Sequence, residues 1–258
     1  MQRSCFILGC GRSGTSLTAG LLAQAGYFMG SELYPADEGN PKGYFEDREI
    51  NGINEGLIAR VLPSSRRNLA DKLLGRRPHS GKWTGWLAEL PPEQKIPCST
   101  RLADRIKVQA ARRPFCFKDP RFCYTLAAWR KFAPDAAILC VFRHPEASAA
   151  SIVKEAERRG GGPDGVGIDP ERALRIWRRM YGYVLGVHYP AGGDWLFLHY
   201  DQLIEGSAYD SIEQLLEVKV YREFADTRLR RSFPPATVRA DTDALYRRLC
   251  DLAGFNCE

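Results

Sequence analysis

The sequence contains no apolar run long enough to cross a membrane, and no hydrophobic stretch precedes its first strand-like segment. These absences predict a cytoplasmic protein without a signal peptide. The eight cysteines include no CxxC pair and lie in apolar surroundings, which predicts buried thiols rather than a disulfide scaffold. The four histidines show no metal-ligand spacing, so no metal site is expected.

The basic residues are not concentrated in one part of the sequence. The chain has 37 lysines and arginines against 31 acidic residues, which gives a net charge of +6, but its arginine pairs are scattered: Arg66-Arg67, Arg76-Arg77, Arg158-Arg159, Arg178-Arg179 and Arg247-Arg248. The scattering argues against a nucleic-acid partner. A general positive field instead suits a small polyanionic ligand.

Apolar segments that alternate with helix-like segments predict an α/β fold. We expect strands at residues 5–8, 115–117, 136–142 and 195–199, and a further short strand at 27–29. Helical spacing predicts a first helix that reaches residue 25, and further helices at 46–62, 100–112, 122–132, 145–159, 173–187 and 238–252. The short connections favour a central parallel sheet flanked by helices, in one domain over residues 1–258.

The first strand leads directly into a glycine-rich loop, residues 9–16, and then into a helix. Glycine lets the backbone approach a ligand closely, and the first N–H groups of a helix lack partners within it. The hydroxyl and guanidinium groups of the loop are additional donors. The segment therefore predicts an anion-binding loop formed by Gly9, Gly11, Arg12, Ser13, Gly14, Thr15 and Ser16.

Two known nucleotide-binding patterns share part of this loop. Its glycines satisfy the dinucleotide fingerprint GxGxxG, with Glu32 near the position of a ribose-binding acid, but that fingerprint does not need the arginine and the hydroxyls. The glycines also have the GxxxxG spacing of the triphosphatase loop, but no lysine follows Gly14. The strand at 136–142 ends in Arg143 and supplies no acid for magnesium, so a metal-dependent kinase lacks both charged parts.

A serine, Ser151, follows Arg143-His144-Pro145 at a spacing of eight residues from the arginine. The loop GxxRSGTS together with R-H-P-x5-S resembles the 5′-phosphosulfate loop and the 3′-phosphate motif of sulfotransferases that use 3′-phosphoadenosine 5′-phosphosulfate (PAPS). The resemblance leaves residues 61–112 uncovered and extends to NPKGYFE at 40–46, KDPR at 118–121 and LHYDQL at 198–203. It implies a P-loop-like sulfotransferase fold.

The resemblance also implies a donor site for PAPS, with adenosine 3′,5′-bisphosphate (PAP) as the product and no metal. Arg12 would stabilise the charge of the leaving phosphate. The rest of the 5′-phosphosulfate loop would be formed by Gly11, Ser13, Gly14, Thr15 and Ser16. The 3′-phosphate would be held by Arg143 and Ser151, with Tyr200 against the adenine and the basic Arg230 and Arg231 folded over the phosphate.

The general base of the family does not carry over to this sequence. One branch has a histidine two residues after the strand-end lysine and another has a glutamate before it, but here Pro120 and Phe117 occupy those positions around Lys118. Lys118 itself is expected to assist charge on the sulfuryl oxygens.

Three carboxylates are candidates for the base: Glu32, Glu46 and Asp119. Glu46 is preferred because the segment at 40–46 resembles a recurring bacterial sulfotransferase segment. Two structural alternatives stay open: Glu46 caps the helix that it begins, or Asp119 pairs with Lys118 or Arg121.

The function that the resemblance implies is sulfuryl transfer to a hydroxyl, less often an amine, of a small molecule or saccharide. The alternatives are a degenerate P-loop kinase and a nucleotide-binding module without catalysis. Residues 61–112 are interpreted as a variable excursion on the acceptor side, where Trp83 and Trp86 form either an acceptor wall or core anchors. Residues 160–167 are interpreted as a lid or an exposed linker.

Overall fold

The computed structural model describes residues 2–62, 85–158, 167–225 and 238–257, and its centre is a parallel four-stranded sheet. The strands are β1 (Cys5–Leu8), β2 (Cys116–Lys118), β3 (Ala137–Phe142) and β4 (Trp195–His199), in the order β2-β1-β3-β4. Every neighbouring pair is parallel, so the carboxyl ends of the strands meet at one edge. This arrangement confirms the expected fold class.

Helices follow the strands and flank the sheet on both faces. Their bounds in the described part of the chain are α1 (Thr15–Leu21), α2 (Arg48–Ile58), α3 (Thr100–Ala110), α4 (Phe122–Arg130), α5 (Pro145–Arg158), α6 (Pro170–Tyr183), α7 (Tyr200–Glu205), α8 (Tyr209–Leu216) and α9 (Ala240–Ala253). Short 3₁₀ turns occupy Gly85–Leu87 and Arg222–Phe224. None of these helices has the length and apolar content that a membrane span needs.

Side chains of β1 alternate between two hydrophobic cores, one on each face of the sheet. Phe6 belongs to the larger core and packs edge to face on Phe122 and Trp129, with ring centroids 5.2 and 6.1 Å apart. Ile7 belongs to the other core, beneath α1 and α8. All residues of β1, β2 and β3 are buried, which explains why these strands appear in the sequence as continuous apolar runs.

Two predicted elements near the N-terminus differ from the structure. The first helix ends at Leu21 rather than at residue 25, because the next residues form tight turns, such as the one from the Ala25 N–H to the Leu22 carbonyl, before Gly26 at φ 77°. The strand expected at 27–29 is a single bridge between Phe28 and Phe115.

Helix α2 begins later than predicted, and its N-cap is Asp47 rather than Glu46. The Asp47 carboxylate accepts hydrogen bonds from the backbone N–H groups of Glu49 and Ile50 at 2.9 and 3.1 Å. Glu46 therefore lies just outside the helix, and its side chain has no capping role. This position directs Glu46 toward the carboxyl edge of the sheet, as described below.

Candidate active site

The carboxyl edge of the sheet brings together segments that are far apart in the sequence. The glycine-rich loop follows β1, Lys118 ends β2, Arg143 follows β3, and Tyr200 follows β4. In open parallel sheets, ligands bind beyond this edge. The topology therefore places four of the predicted site segments around one region.

The glycine-rich loop is held close to its neighbours, and none of its three glycines has room for a side chain. A Cβ on Gly9 would lie 2.1 Å from the Val141 carbonyl oxygen, and Gly14, at φ 102°, would place a Cβ 2.8 Å from Tyr200. Arg12 also has a left-handed backbone, at φ 70°. The loop thus follows a fixed path between β3 and Tyr200.

The Tyr181 side chain on α6 holds the glycine-rich loop from the core side. The sequence motifs did not identify this contact. Its buried hydroxyl donates to the Val141 carbonyl at 2.7 Å and accepts from the Cys10 N–H at 3.0 Å. It also lies 3.1 Å from the Ser13 hydroxyl, which is fully buried and 3.4 Å from the Ser148 hydroxyl. This differs from the expectation for Ser13: its hydroxyl faces the core beneath the loop and does not line the cavity.

Ser16 connects the loop to the segment at 40–46. The Asn40 side-chain amide donates to the Ser16 hydroxyl at 3.0 Å. That hydroxyl in turn donates to the Tyr44 carbonyl oxygen at 3.3 Å. The two motifs that the sequence separates by more than twenty residues are therefore part of one hydrogen-bonded unit.

The Arg12 side chain extends from the loop to α5. Its Nε donates to the Ser151 hydroxyl at 3.1 Å and its Nη2 donates to the Gly39 carbonyl at 3.2 Å. The family resemblance implies that Arg12 and Ser151 contact two different phosphates of the donor. The structure places the two side chains in direct contact.

Arg143 and Tyr200 form a second pair beside the loop. The Arg143 guanidinium carbon lies 4.3 Å from the centre of the Tyr200 ring, and the Arg143 residue is 7% exposed. The same Tyr200 ring packs against Gly14, so a planar cation and an aromatic ring border the loop on its β4 side.

A cavity of about 250 Å³ opens in front of the loop. The loop contributes Gly11, Arg12, Thr15 and Ser16, and β2 with the turn after it contributes Lys118, Pro120 and Arg121. The other walls come from Tyr34, Pro35, Asp37, Tyr44, Glu46, Asn51, Trp86 and Glu155. The cavity is thus bordered by cations from both the loop and the β2 region, and by aromatic and carboxylate groups.

Glu46 and Lys118 form a buried ion pair in this cavity. Their side chains are 15% and 2% exposed, and Lys118 Nζ donates to Glu46 Oε1. The other Glu46 oxygen accepts from the Asn51 amide at 3.0 Å. Burial by itself raises the pKa of Glu46, but the charges of Lys118 and Arg121 outweigh it and hold that pKa below its ordinary value. Glu46 is therefore ionised at neutral pH.

Asp119 lies outside the cavity and is engaged in the core. One of its oxygens accepts from the backbone N–H and the Nη1 of Arg121, both at 2.9 Å, and the other accepts from the Asn54 amide at 2.8 Å. Its side chain is fully buried, and that burial raises its pKa. Asp119 therefore pairs with Arg121, as in the structural alternative that the sequence left open.

Glu32 does not border the cavity either. The residue is exposed, and its backbone contacts Asp47 and Arg48 instead. Of the three carboxylates proposed from the sequence, Glu46 alone lines the cavity within the described residues.

Trp86 belongs to the excursion at 61–112 and reaches the loop. A Cβ on Gly11 would lie 2.5 Å from its indole, and the indole lines the cavity while it also packs on the main core. Trp86 thus lines the cavity and anchors its segment to the core, and its part in an acceptor wall stays a prediction. Trp83 lies outside the described residues.

Several other predicted positions also lie outside the described residues. They are Arg230, Arg231 and residues 160–166. In the part of the chain that the structure describes, no group of three or more His, Cys, Asp or Glu side chains is arranged to hold a metal ion.

Comparisons with known protein families and solved structures show what this chain is similar to. A solved structure similar to this chain is the sulfotransferase STF9 from Mycobacterium avium, with 16% identity and a TM-score of 0.43 over 97% of this chain and 68% of that one. No curated protein sequence matches the chain. The family model described as "Sulfotransferase family" matches residues 5–217, a span that contains all four strands and the glycine-rich loop. The chain therefore belongs to the sulfotransferase family.

Proposed function

We propose that this protein transfers a sulfuryl group from PAPS to a hydroxyl of a small molecule or saccharide, with Glu46 as the general base. The observation that carries the proposal is the position of the Glu46–Lys118 pair, which lines the same cavity as Arg12 and the loop. An ionised carboxylate and the glycine-rich loop thus line one cavity, in which the acceptor would bind.

The donor is proposed to lie along the loop, with its phosphates toward Arg12 and Arg143. Loop N–H groups, the Arg12 guanidinium and the hydroxyls of Thr15 and Ser16 would stabilise the charge on the 5′-phosphate. Arg143 would hold the 3′-phosphate, and Tyr200, already stacked on that guanidinium, would contact the adenine. Ser151 would support this site through its contact with Arg12.

The proposed reaction is an in-line displacement at sulfur. The acceptor oxygen forms a bond to sulfur and gives its proton to Glu46, while the bond from sulfur to the bridging oxygen breaks and the 5′-phosphate keeps its electron pair. A carboxylate with a lowered pKa is a weak base, which suits a loose transition state in which the proton leaves late. Lys118 loses its ion-pair partner once Glu46 is protonated, and its charge is then available to the sulfuryl oxygens.

Titration of the protein with PAP in the absence of magnesium tests the donor site. We expect binding, and we expect Arg143→Ala to weaken it by about tenfold to hundredfold, because hydrogen bonds to a charged group contribute about 1.5–3 kcal/mol. Arg113→Ala is the control: this arginine pairs with Asp135 just before β3, at the opposite edge of the sheet. No magnesium-independent binding, or equal binding after Arg143→Ala, would contradict the proposal.

Turnover with PAPS and a panel of phenols, sterols and sugars tests the transfer itself. Glu46→Gln should lower kcat by about 10²–10⁴-fold and leave PAP affinity unchanged, since it removes the base and keeps the shape. Glu32→Gln makes the same chemical change at an exposed position and should retain activity. Binding of PAP without transfer to any acceptor would instead support a nucleotide-binding module, and magnesium-dependent use of ATP would support a kinase.

A further inference from the structure

One buried hydroxyl, that of Tyr181, contacts both flanks of the loop segment that reaches the cavity. Gly11 and Arg12 line the cavity, and Cys10 and Ser13 are the residues on either side of them. The Tyr181 hydroxyl accepts from the Cys10 N–H at 3.0 Å and lies 3.1 Å from the Ser13 hydroxyl. The two-residue segment is therefore anchored on both sides by the same side-chain atom.

The hydrogen bonds of this hydroxyl use its full capacity. A tyrosine hydroxyl has one proton to donate and can accept from two groups. Burial raises the pKa of Tyr181, so the hydroxyl keeps its proton, and the shortest contact, 2.7 Å to the Val141 carbonyl oxygen, receives it. The oxygen is then left to accept from the Cys10 N–H and the Ser13 O–H. One hydroxyl thus joins the end of β3 to two loop residues.

The position of the hydroxyl is fixed by the core around the Tyr181 ring. Tyr181 is fully buried and belongs to the larger hydrophobic core. Its ring packs on Trp177 and Phe142, with ring centroids 4.7 and 6.5 Å apart. Because close-packed side chains have little freedom to move, the hydroxyl is a rigid support for the loop.

The backbone of Arg12 is the part of the loop that most needs such a support. Its φ of 70° lies in the left-handed region, which is strained for a residue other than glycine. A strained conformation persists only where the surrounding structure holds it. The bonds from Tyr181 to the residues before and after Gly11 and Arg12 supply this constraint.

We propose that Tyr181 is a positioning residue for the donor, because its hydroxyl holds Gly11 and Arg12 in the conformation that binds the 5′-phosphate end of PAPS. This inference rests on the proposed function. Without the hydroxyl, the loop occupies other conformations for part of the time. The apparent affinity for the donor then falls in proportion to the competent fraction.

Titration of Tyr181→Phe with PAP measures this effect, because the variant loses the hydroxyl and keeps the ring. We expect PAP to bind about tenfold more weakly than to the wild type, which is the size of effect that lost hydrogen bonds produce. Tyr183→Phe is the matched control: on the same helix, its buried hydroxyl donates to the Gln94 carbonyl at 2.8 Å, away from the loop. This control should leave the affinity for PAP unchanged.

Hydrogen exchange of the free protein tests the positioning without any ligand. In Tyr181→Phe, the peptide that covers residues 9–16 should exchange faster than in the wild type, because its backbone loses the bond to the hydroxyl. In Tyr183→Phe this peptide should exchange at the wild-type rate. A role of Tyr181 in core stability alone predicts a lower Tm in both variants, with no change specific to the loop.

Ser13→Ala is a second variant, which keeps the test decisive even if Tyr181→Phe folds poorly. It should weaken PAP binding by a few-fold and speed exchange of the loop, because the Ser13 hydroxyl acts through Tyr181. The double variant Ser13→Ala/Tyr181→Phe should then bind PAP about as well as Tyr181→Phe alone. Losses that simply add would mean that Ser13 acts independently of Tyr181, and would contradict the inference.

The outcomes distinguish this inference from the proposed function. If the wild type binds PAP, but PAP affinity or loop exchange is unchanged in Tyr181→Phe, the role of Tyr181 is overturned and the sulfotransferase proposal stays intact. Equal losses of affinity in Tyr181→Phe and Tyr183→Phe have the same meaning. The absence of PAP binding by the wild type overturns both. Weaker binding and faster loop exchange in Tyr181→Phe alone support the inference.

Discussion

Replacement of Lys118 by methionine would leave the Glu46 carboxylate in the cavity without its closest counter-charge. Methionine matches the length of the lysine stem, so the change removes the charge with little change in volume. Removal of one partner of a buried ion pair usually costs about 3–5 kcal/mol, because the other charge stays desolvated. Glu46 is 15% exposed and keeps its hydrogen bond from Asn51, so we expect the low end, about 3 kcal/mol at neutral pH.

The loss of stability in Lys118→Met should depend on pH. The pKa of Glu46 decides whether that loss grows or shrinks as the pH falls. In the wild type that pKa lies below its ordinary value, so Glu46 stabilises the fold above the unfolded pKa of about 4.3, and this contribution is lost as the pH falls through the folded pKa. In Lys118→Met the effect of burial, which raises the pKa, loses its main opposition. The variant can then take up a proton at mildly acidic pH, so its deficit should shrink between pH 7.5 and pH 5.

Urea denaturation of the wild type, Lys118→Met and the double variant Glu46→Gln/Lys118→Met at pH 7.5 and pH 5 measures these differences. The double variant has no charge to bury and should recover most of the lost free energy of unfolding. Lys131→Met, an exposed lysine after α4, is the control and should change the free energy of unfolding by less than about 0.5 kcal/mol. A deficit that is the same at both pH values, or that Glu46→Gln does not relieve, would refute this account of the pair.

Two further predictions concern stability away from the cavity. Asn54→Ala should lower the free energy of unfolding by about 3 kcal/mol or more in urea denaturation, because it leaves Asp119, Thr125 and Trp129 buried without their shared partner; a loss below 1 kcal/mol would contradict this. Burial lowers the pKa of His188 to about 4, so the unfolded chain binds its proton first and stability should fall by about 3 kcal/mol from pH 6.5 to pH 4. His188→Gln should reduce this dependence of the free energy of unfolding on pH. An unchanged pH dependence would mean that other groups cause it.

The strands were predictable because each is an apolar run with a clear end. The predicted bounds of β1 and β4 match the structure, those of β2 are shifted by one residue at both ends, and those of β3 differ by one residue at the start. Burial on both faces of a parallel sheet requires such apolar runs, so the local sequence largely determines where each strand begins and ends. The helix ends were less predictable, because α1 stops where the chain must turn back toward Phe28, which is a tertiary requirement.

The site was only partly predictable, since motif spacing gives chain positions and not side-chain directions. The pattern RSGTS identified the loop, but it did not indicate that the Ser13 hydroxyl faces Tyr181 in the core. Nor did it indicate that Arg12 contacts Ser151. The sequence around Asn51 did contain a signal for buried amides. Asn51 and Asn54 are three residues apart and lie between the apolar positions of α2, whereas charged residues are typical of an exposed helix face.

Those two asparagines differ in how completely they are paired. Asn54 is fully buried, and its amide donates to Asp119 and accepts from Thr125 and Trp129, so it has the partners expected of a core amide. Asn51 lies less than one turn earlier on the same helix and keeps an unpaired oxygen. What distinguishes Asn51 is its partner at the cavity, because its Nδ2 donates to the Glu46 carboxylate that also pairs with Lys118.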